Sequence, residues 1–238
     1  MMLYPVLLLC GAVSLFFYVR EKLRAYSLKA VFLKSLVSAL FIAVAVCGVW
    51  RAAQRGSLRP LCPFVLLGLV CGLLGDIWLD LKYVFPEKDE PFTYAGFAVF
   101  GLGHVFYILG LLTSFGAPGQ PAFVIAPLLL GAALGFGNAA LEKPMGLRYG
   151  KLKPTVIAYG ALLFSTVLLA GSLALSRGWA EGTLNLFLAG AVLFALSDLI
   201  LSGTYFGVGK ERPVDIILNY LSYYGGQFLI ASSLLLLK

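Results

Sequence analysis

Residues 61–81 read LCPFVLLGLVCGLLGDIWLDL, an apolar stretch whose only charged residues are Asp76 and Asp80. A helix needs about 20 apolar residues to cross a bilayer, and this stretch has that length. The whole chain has the same character, because 61% of its 238 residues are hydrophobic and 12% are charged. Soluble proteins average roughly 45–50% apolar and 25% charged residues. This composition excludes a soluble globule, a disordered chain, a disulfide scaffold and a nucleic-acid-binding module, despite the net charge of +7.

Eight apolar stretches of this kind follow one another, and they predict an all-α membrane bundle of eight transmembrane helices in one integral membrane domain, residues 1–238. The first stretch has no basic region before it and no small-residue cleavage site after it, so we expect a retained helix rather than a signal peptide. The predicted spans are residues 3–19, 29–50, 61–81, 93–115, 121–138, 154–176, 184–206 and 214–237.

Lysine and arginine in the loops predict the orientation, because cytoplasmic loops collect basic residues. With Lys34 inside a span, one side carries twelve basic residues, Lys210 among them, and the other side carries five. We expect the richer side to face the cytoplasm and both termini to lie on the other side. In a bacterium this membrane would be the cell membrane.

A short pattern occurs once in each half of the chain. Gly75-Asp76-Ile77-Trp78-Leu79 and Ser197-Asp198-Leu199-Ile200-Leu201 both have a small residue, an aspartate and a leucine three positions later. Four helices per half would keep two copies parallel, and a duplication would put the two aspartates at similar depth on facing helices. Two parallel four-helix repeats and a chance match both remain open.

Polar residues inside the spans are the candidates for function, because a charge at the centre of a spanning helix costs about 2.5 kcal/mol or more. Each also has a structural alternative, such as hydrogen bonding between helices or, for Lys34, anchoring at the interface. Asp80, one turn from Asp76, is expected to be a solvated carboxylate at the interface. Seven side chains could line one cavity: Lys34, Asp76, His104, Asp198, Tyr223, Tyr224 and Gln227.

Several kinds of site are disfavoured by what the sequence lacks. One histidine and four scattered cysteines make a metal site improbable. The sequence has no Gly-x-Ser-x-Gly motif of a serine hydrolase, no phosphate-binding loop and no dinucleotide fingerprint. What remains is acid and base chemistry by carboxylates, with no metal and no cofactor expected.

The order of these motifs resembles the YhhN family of eight-span membrane proteins. The similarity covers nearly the whole chain, and Lys34-Ser35-Leu36 is similar to a Lys-Pro-Leu motif of the family, with serine in place of proline. Asp80 and the acidic stretch 86–91 depart from the family pattern. The motifs that carry the resemblance are Gly75-Asp76, Phe92, Gly96, Phe97, Phe100, His104, Tyr107, Gly190-Ala191, Ser197-Asp198, Tyr223-Tyr224, Gln227 and Leu229-Ile230.

The resemblance implies a lysoplasmalogenase. Such enzymes hydrolyse the vinyl ether of a lyso-alkenyl glycerophospholipid, with an ethanolamine or choline headgroup, to a fatty aldehyde and the glycerophospho-headgroup. Asp76 and Asp198 would be the catalytic pair and would share one proton, as two carboxyl groups in an apolar cavity tend to do. His104 would relay the proton, while Lys34 with Tyr223, Tyr224 and Gln227 would hold the phosphate and the glycerol hydroxyl.

The expected partners are a lyso-ether phospholipid substrate and the surrounding membrane lipids, while the oligomeric state is not indicated. Two other functions remain open at this point. Intramembrane aspartate and histidine also mark proton-coupled transporters of small or lipid-like solutes. In a binding or scaffold protein, the same polar residues would only tie helices together.

Overall fold

The computed structural model describes residues 3–116, 119–207 and 212–238, and this part of the chain is helical with one isolated bridge between Leu147 and Gly207. Its α-helices are α1 (Leu3–Lys22), α2 (Leu28–Gln54), α3 (Leu61–Val84), α4 (Asp89–Phe115), α5 (Ala122–Ala140), α6 (Lys153–Ser176), α7 (Gly182–Phe206) and α8 (Pro213–Ser233). Short 3-10 turns cover Pro86–Lys88, Gly150–Leu152 and Leu234–Leu236. The all-helical prediction is confirmed, and its eight helices begin and end close to the predicted positions.

Seven of the described helices, α1 to α7, are long and apolar enough to cross a membrane. Helix α8 falls outside this group by its composition, although it is 21 residues long. Its polar residues, including Asn219, Tyr223 and Gln227, are buried inside the bundle, so they lower its mean hydropathy without facing lipid. The chain is therefore a multi-pass helical membrane protein, while an eighth crossing by α8 stays a prediction.

Consecutive helices pack as pairs, most extensively α3 with α4, α5 with α6 and α7 with α8. The two halves of the chain meet mainly through α2 with α8 and through α4 with α6. These two contacts correspond if each half has four helices, because α2 then corresponds to α6 and α4 to α8. The duplication itself stays a prediction. Helices α1 and α5 carry many exposed apolar side chains, such as Leu9, Phe16, Leu129 and Phe136, which suit contact with lipid.

Two glycines allow α7 and α8 to pack closely. A Cβ atom on Gly190 would lie 2.6 Å from the Gly226 carbonyl oxygen, and one on Gly226 would lie 2.7 Å from the Gly190 carbonyl oxygen. Side chains at these positions would push the helices apart. This close approach sets the position of α8, whose tyrosines reach the polar interior.

The connection from α5 to α6 is held by Glu142. Its carboxylate accepts hydrogen bonds from the Lys153 ammonium at 2.8 Å and from the Tyr149 backbone N–H at 2.9 Å. These two contacts hold the pKa of Glu142 below its usual value. Lys210, which entered the orientation prediction, lies outside the described residues, and the side on which the termini lie stays a prediction.

Candidate active site

A cavity of about 870 Å³, the main cavity, lies among α3, α4, α6, α7 and α8. Aromatic rings such as Phe97 and Phe100 form much of its wall. Leu199, which also lines it, is exposed on the outside of the bundle, so the cavity reaches the lipid-facing surface at α7. Its polar lining consists of Lys34, Asp76, Asn138, Tyr159, Ser197, Asp198, Ser202, Tyr205, Asn219, Tyr220 and Tyr223.

Asp76 lies on α3 and is almost completely buried. Its carboxylate accepts hydrogen bonds from the Ser38 hydroxyl at 2.6 Å and from the Tyr223 hydroxyl at 2.9 Å. The Lys34 ammonium forms an ion pair with it at 3.3 Å. Side chains of α2 and α8 thus supply a positive charge and two hydroxyl donors, the set of partners that a buried carboxylate needs to stay ionised.

Lys34 is shared between two aspartates. Its Nζ atom is 3.3 Å from the Asp76 carboxylate and 3.3 Å from that of Asp80. Asp80 also receives the Lys22 ammonium at 2.8 Å and the Tyr18 hydroxyl at 3.0 Å. The prediction of a solvated Asp80 is wrong, because Lys22 at the end of α1 closes over it and leaves it 2% exposed.

The interface-anchor alternative for Lys34 is also wrong, since this side chain is 5% exposed and turned toward α3. The spacing of Asp76 and Asp80 could have indicated the arrangement. Residues four positions apart share one face of a helix, so a lysine that pairs with one can also reach the other.

Asp198 lies on α7, is partly exposed to the main cavity and accepts a hydrogen bond from the Tyr159 hydroxyl of α6. Within the described part of the chain, no lysine or arginine forms an ion pair with it. Nor does any hydrogen bond in that part join the Asp198 and Asp76 carboxylates. The two acids share a cavity but have separate partners, so the geometry does not provide the expected directly shared proton.

Tyr223 lines the main cavity, whereas Tyr224 and Gln227 do not. The Gln227 amide donates to the Tyr223 hydroxyl at 3.2 Å and accepts from the Tyr107 hydroxyl at 3.2 Å. The Tyr224 hydroxyl donates to the Lys34 backbone carbonyl at 3.3 Å. The expectation that Tyr224 and Gln227 face the substrate is therefore wrong, because neither side chain lines the main cavity. Gln227 instead binds the Tyr223 hydroxyl, and Tyr224 binds the backbone of α2.

His104 is also outside the cavity lining and is 3% exposed. Its Nδ1 atom is 3.1 Å from the Thr166 hydroxyl oxygen, which itself donates to the Leu162 carbonyl. Nδ1 is therefore the donor, and Nε2 has no hydrogen-bond partner in the described part of the chain. The ring packs edge-on against Tyr159 with centroids 5.6 Å apart, so His104 contacts the residue whose hydroxyl donates to Asp198.

Two polar cavity residues near Asp198 are among those that were not predicted from the sequence. Tyr159 donates to Asp198, and its position early in α6 matches the depth of Asp198 near the end of α7. Ser202 follows Asp198 by four residues, so both lie on the same face of α7, and its buried hydroxyl has no hydrogen-bond partner among the residues that the structure describes. Depth for Tyr159 and spacing for Ser202 are the signals that could have identified them.

A second cavity of about 370 Å³, the side cavity, adjoins the first. The two share Leu201, Tyr205, Asn219 and Tyr220 in their walls. The side cavity is also lined by Lys22, Tyr26, Tyr83, Thr204 and Ile216, so the residues that the structure describes supply one ammonium group and no carboxylate to its wall. In the described ranges, no group of three or more histidine, cysteine, aspartate or glutamate residues could hold a metal ion.

The comparisons with known proteins give one finding. A model of the YhhN family matches residues 29–234, which leaves all of α1 before the matched segment. Neither a curated protein nor a solved structure matches the chain.

Proposed function

This chain belongs to the YhhN family, and from that premise we propose that it is a membrane lysoplasmalogenase. Its substrate would be a lyso-alkenyl glycerophospholipid, whose vinyl ether is hydrolysed to a fatty aldehyde and a glycerophospho-headgroup. The observation that carries the proposal is that Asp76 and Asp198, from the two halves of the chain, line one cavity with different partners. Such a pair can divide the work of acid and carboxylate.

Asp198 is the proton donor in this proposal. It has a tyrosine hydroxyl beside it and no basic partner among the described residues, so no positive charge holds it as a carboxylate. Asp76 is the carboxylate, because Lys34 and two hydroxyl groups stabilise its negative charge. This division replaces the directly shared proton and keeps both predicted catalytic residues.

The reaction begins with transfer of the Asp198 proton to the outer carbon of the vinyl ether. The resulting oxocarbenium ion lies near the Asp76 carboxylate and the aromatic rings of Phe100 and Tyr223, which favour positive charge. Water adds to the cationic carbon and gives up a proton to the vacated carboxylate. The hemiacetal then collapses, so that the carbon–oxygen bond to glycerol breaks and the aldehyde forms. Paired-carboxylate glycosidases use the same logic with a similar transition state.

The shape of the main cavity suits an amphiphilic substrate. Its wall combines apolar side chains, such as Phe97, Leu163 and Phe206, with the two aspartates. Because the cavity reaches the outer surface at Leu199, an alkyl chain could remain among lipids while the vinyl ether enters between α6 and α7.

The test is aldehyde release from a lysoplasmalogen by purified Asp76→Asn and Asp198→Asn proteins. We expect each to lose at least about a thousandfold in kcat, because each removes a group that acts only in the transition state. Asp215→Asn is the matched control, since Asp215 pairs with Arg212 outside both cavities. Near-native rates in either cavity variant would remove that aspartate from the mechanism.

A proton-coupled transporter is the second candidate, favoured by the buried series Lys22, Asp80, Lys34 and Asp76, in which each charge touches the next. Turnover separates the two functions, because an enzyme releases aldehyde in detergent and a transporter does not. Absence of aldehyde from detergent-solubilised wild-type protein, together with proton-dependent solute uptake in vesicles, would favour the transporter.

A further inference from the structure

We propose that the side cavity binds the phosphate of the substrate headgroup, next to the vinyl ether in the main cavity. This inference rests on the proposed function and moves the headgroup site away from Lys34. The Lys34 ammonium is enclosed by two carboxylates, and Tyr224 and Gln227 do not reach the cavity. Another cation must therefore meet the phosphate.

Lys22 is that cation. Among the described residues, it is the one lysine or arginine in the lining of the side cavity, and none of the lining residues in that part of the chain is a carboxylate. Its Nζ atom pairs with the Asp80 carboxylate and lies 4.2 Å from the centre of the Tyr83 ring and 4.8 Å from that of the Tyr26 ring. These contacts fix its position. An ammonium group has three donors, so one bond to Asp80 leaves donors for a second anion.

The ammonium group of Lys82 also lies near the side cavity, against the ring of Tyr205 in its wall. Lys82 Nζ is 3.7 Å from the centre of the Tyr205 ring, and its carboxylate partner Asp89 is on the exposed surface. Its charge adds to that of Lys22 on one side of the cavity. The Thr204 hydroxyl in that lining donates to the Leu201 backbone carbonyl at 2.9 Å, so the ammonium groups are the donors that we assign to the phosphate.

The two cavities adjoin, which suits a single lipid molecule, because only five bonds separate the vinyl ether oxygen of the substrate from the phosphorus. The shared wall residues Tyr205 and Tyr220 join the two cavities, so the glycerol can pass between them.

The headgroup site combines residues inside and outside the family match. Lys22 and Tyr26 precede residue 29, where the match begins, whereas Asp80 lies within the matched segment. The ion pair of Lys22 and Asp80 therefore joins a residue before the match to one inside it.

The activity test compares a lysoplasmalogen with a 1-alkenylglycerol that lacks the phosphate. We expect wild-type protein to prefer the phosphate-bearing substrate in kcat/KM, and Lys22→Gln to reduce that preference about tenfold, mainly through KM. Thr204→Phe, which fills the side cavity without a charge change, should reduce the preference as well. Asp80 keeps Lys34 and Tyr18 in Lys22→Gln, so its charge stays paired.

The controls are matched in chemistry and place. Lys29→Gln removes an exposed lysine that pairs with Glu21 near the same end of the bundle. Leu196→Phe adds a ring on the outer face of α7. Both controls should keep the wild-type preference. An unchanged preference in Lys22→Gln and Thr204→Phe would overturn the headgroup site, and so would an equal loss on both substrates.

A binding test separates this proposal from the proposed function. Glycerophosphoethanolamine and inorganic phosphate are titrated into wild-type protein by calorimetry, and we expect the phosphodiester to bind and Lys22→Gln to weaken it about tenfold. If wild-type protein cleaves neither ether but binds the phosphodiester through Lys22, the reaction is wrong and the headgroup site stands. Binding of inorganic phosphate alone, or of neither probe, would overturn the headgroup site.

Discussion

Asp76 and Asp198 are the same residue in corresponding stretches of the two halves, yet their surroundings differ. A hydroxyl on the preceding helix contacts each, Ser38 on α2 for Asp76 and Tyr159 on α6 for Asp198. Among the described residues, only Asp76 has a lysine as well, and it is buried, whereas Asp198 is open to the cavity. Similar backbone positions can thus give one acid a basic partner and leave the other with a hydroxyl alone.

The largest expected effect comes from removing the charge of Lys34, which pairs with Asp76 and distinguishes it from Asp198. Lys34→Met should lower kcat for aldehyde release by about a hundredfold or more and reduce stability by about 3 kcal/mol, because Asp76 becomes a buried charge without a cation. The measurements are steady-state turnover and thermal unfolding in detergent.

Lys34→Arg and Lys151→Met are the comparisons for that variant. Arginine retains the charge, so Lys34→Arg should keep more activity than Lys34→Met. Lys151 is exposed and pairs with Glu90, so its loss should leave both measurements unchanged. A fully active Lys34→Met protein would remove the difference between the two aspartates from the mechanism.

A smaller effect is expected from removing the two corresponding hydroxyls. Tyr159→Phe should lower kcat by about ten- to a hundredfold, because Asp198 loses the hydroxyl that orients its carboxyl group. Ser38→Ala should cost less than tenfold, because Asp76 retains Lys34 and Tyr223. Turnover of the two purified variants is compared side by side. A greater loss in Ser38→Ala would reverse the assignment of acid and carboxylate.

The smallest expected effect concerns two ion pairs, one in the connection between α1 and α2 and one in the connection between α5 and α6. Glu21 pairs with Lys29 between α1 and α2, and Glu142 pairs with Lys153 between α5 and α6. Because the pKa of Glu142 is lowered in the folded state, its contribution to stability is present above about pH 4.3 and is lost as the pH falls through the lowered value.

Glu142→Gln should therefore lower the melting temperature slightly at neutral pH and have no effect in strong acid. Thermal unfolding between pH 3 and pH 7 measures this, with Glu87→Gln in the turn before α4 as the control. An effect of Glu142→Gln that is independent of pH would show that shape rather than charge holds this connection.

The sequence predicted where each helix begins and ends better than how each helix is rotated about its own axis. Apolar length locates each helix, and α3 begins at the predicted residue 61. Residue depth along a helix follows as well, which is why Asp76 and Asp198 were correctly expected at one cavity. Rotation decides what lines that cavity, and it turns Gln227 and His104 away from it. The low apolarity of α8 has the same cause, since its polar face lies inside.

The sequence by itself determined that the chain forms apolar helices, and it indicated the few intramembrane charges as candidates for function, because the bilayer fixes helix length and penalises unpaired charge. Only the tertiary structure decided which charges meet. Lys22, Lys34 and Asp80 come from three helices, and their pairing depends on helix rotation and contacts across 46 to 58 residues of chain. Packing between helices, which hydropathy does not encode, made one aspartate paired and left the other open.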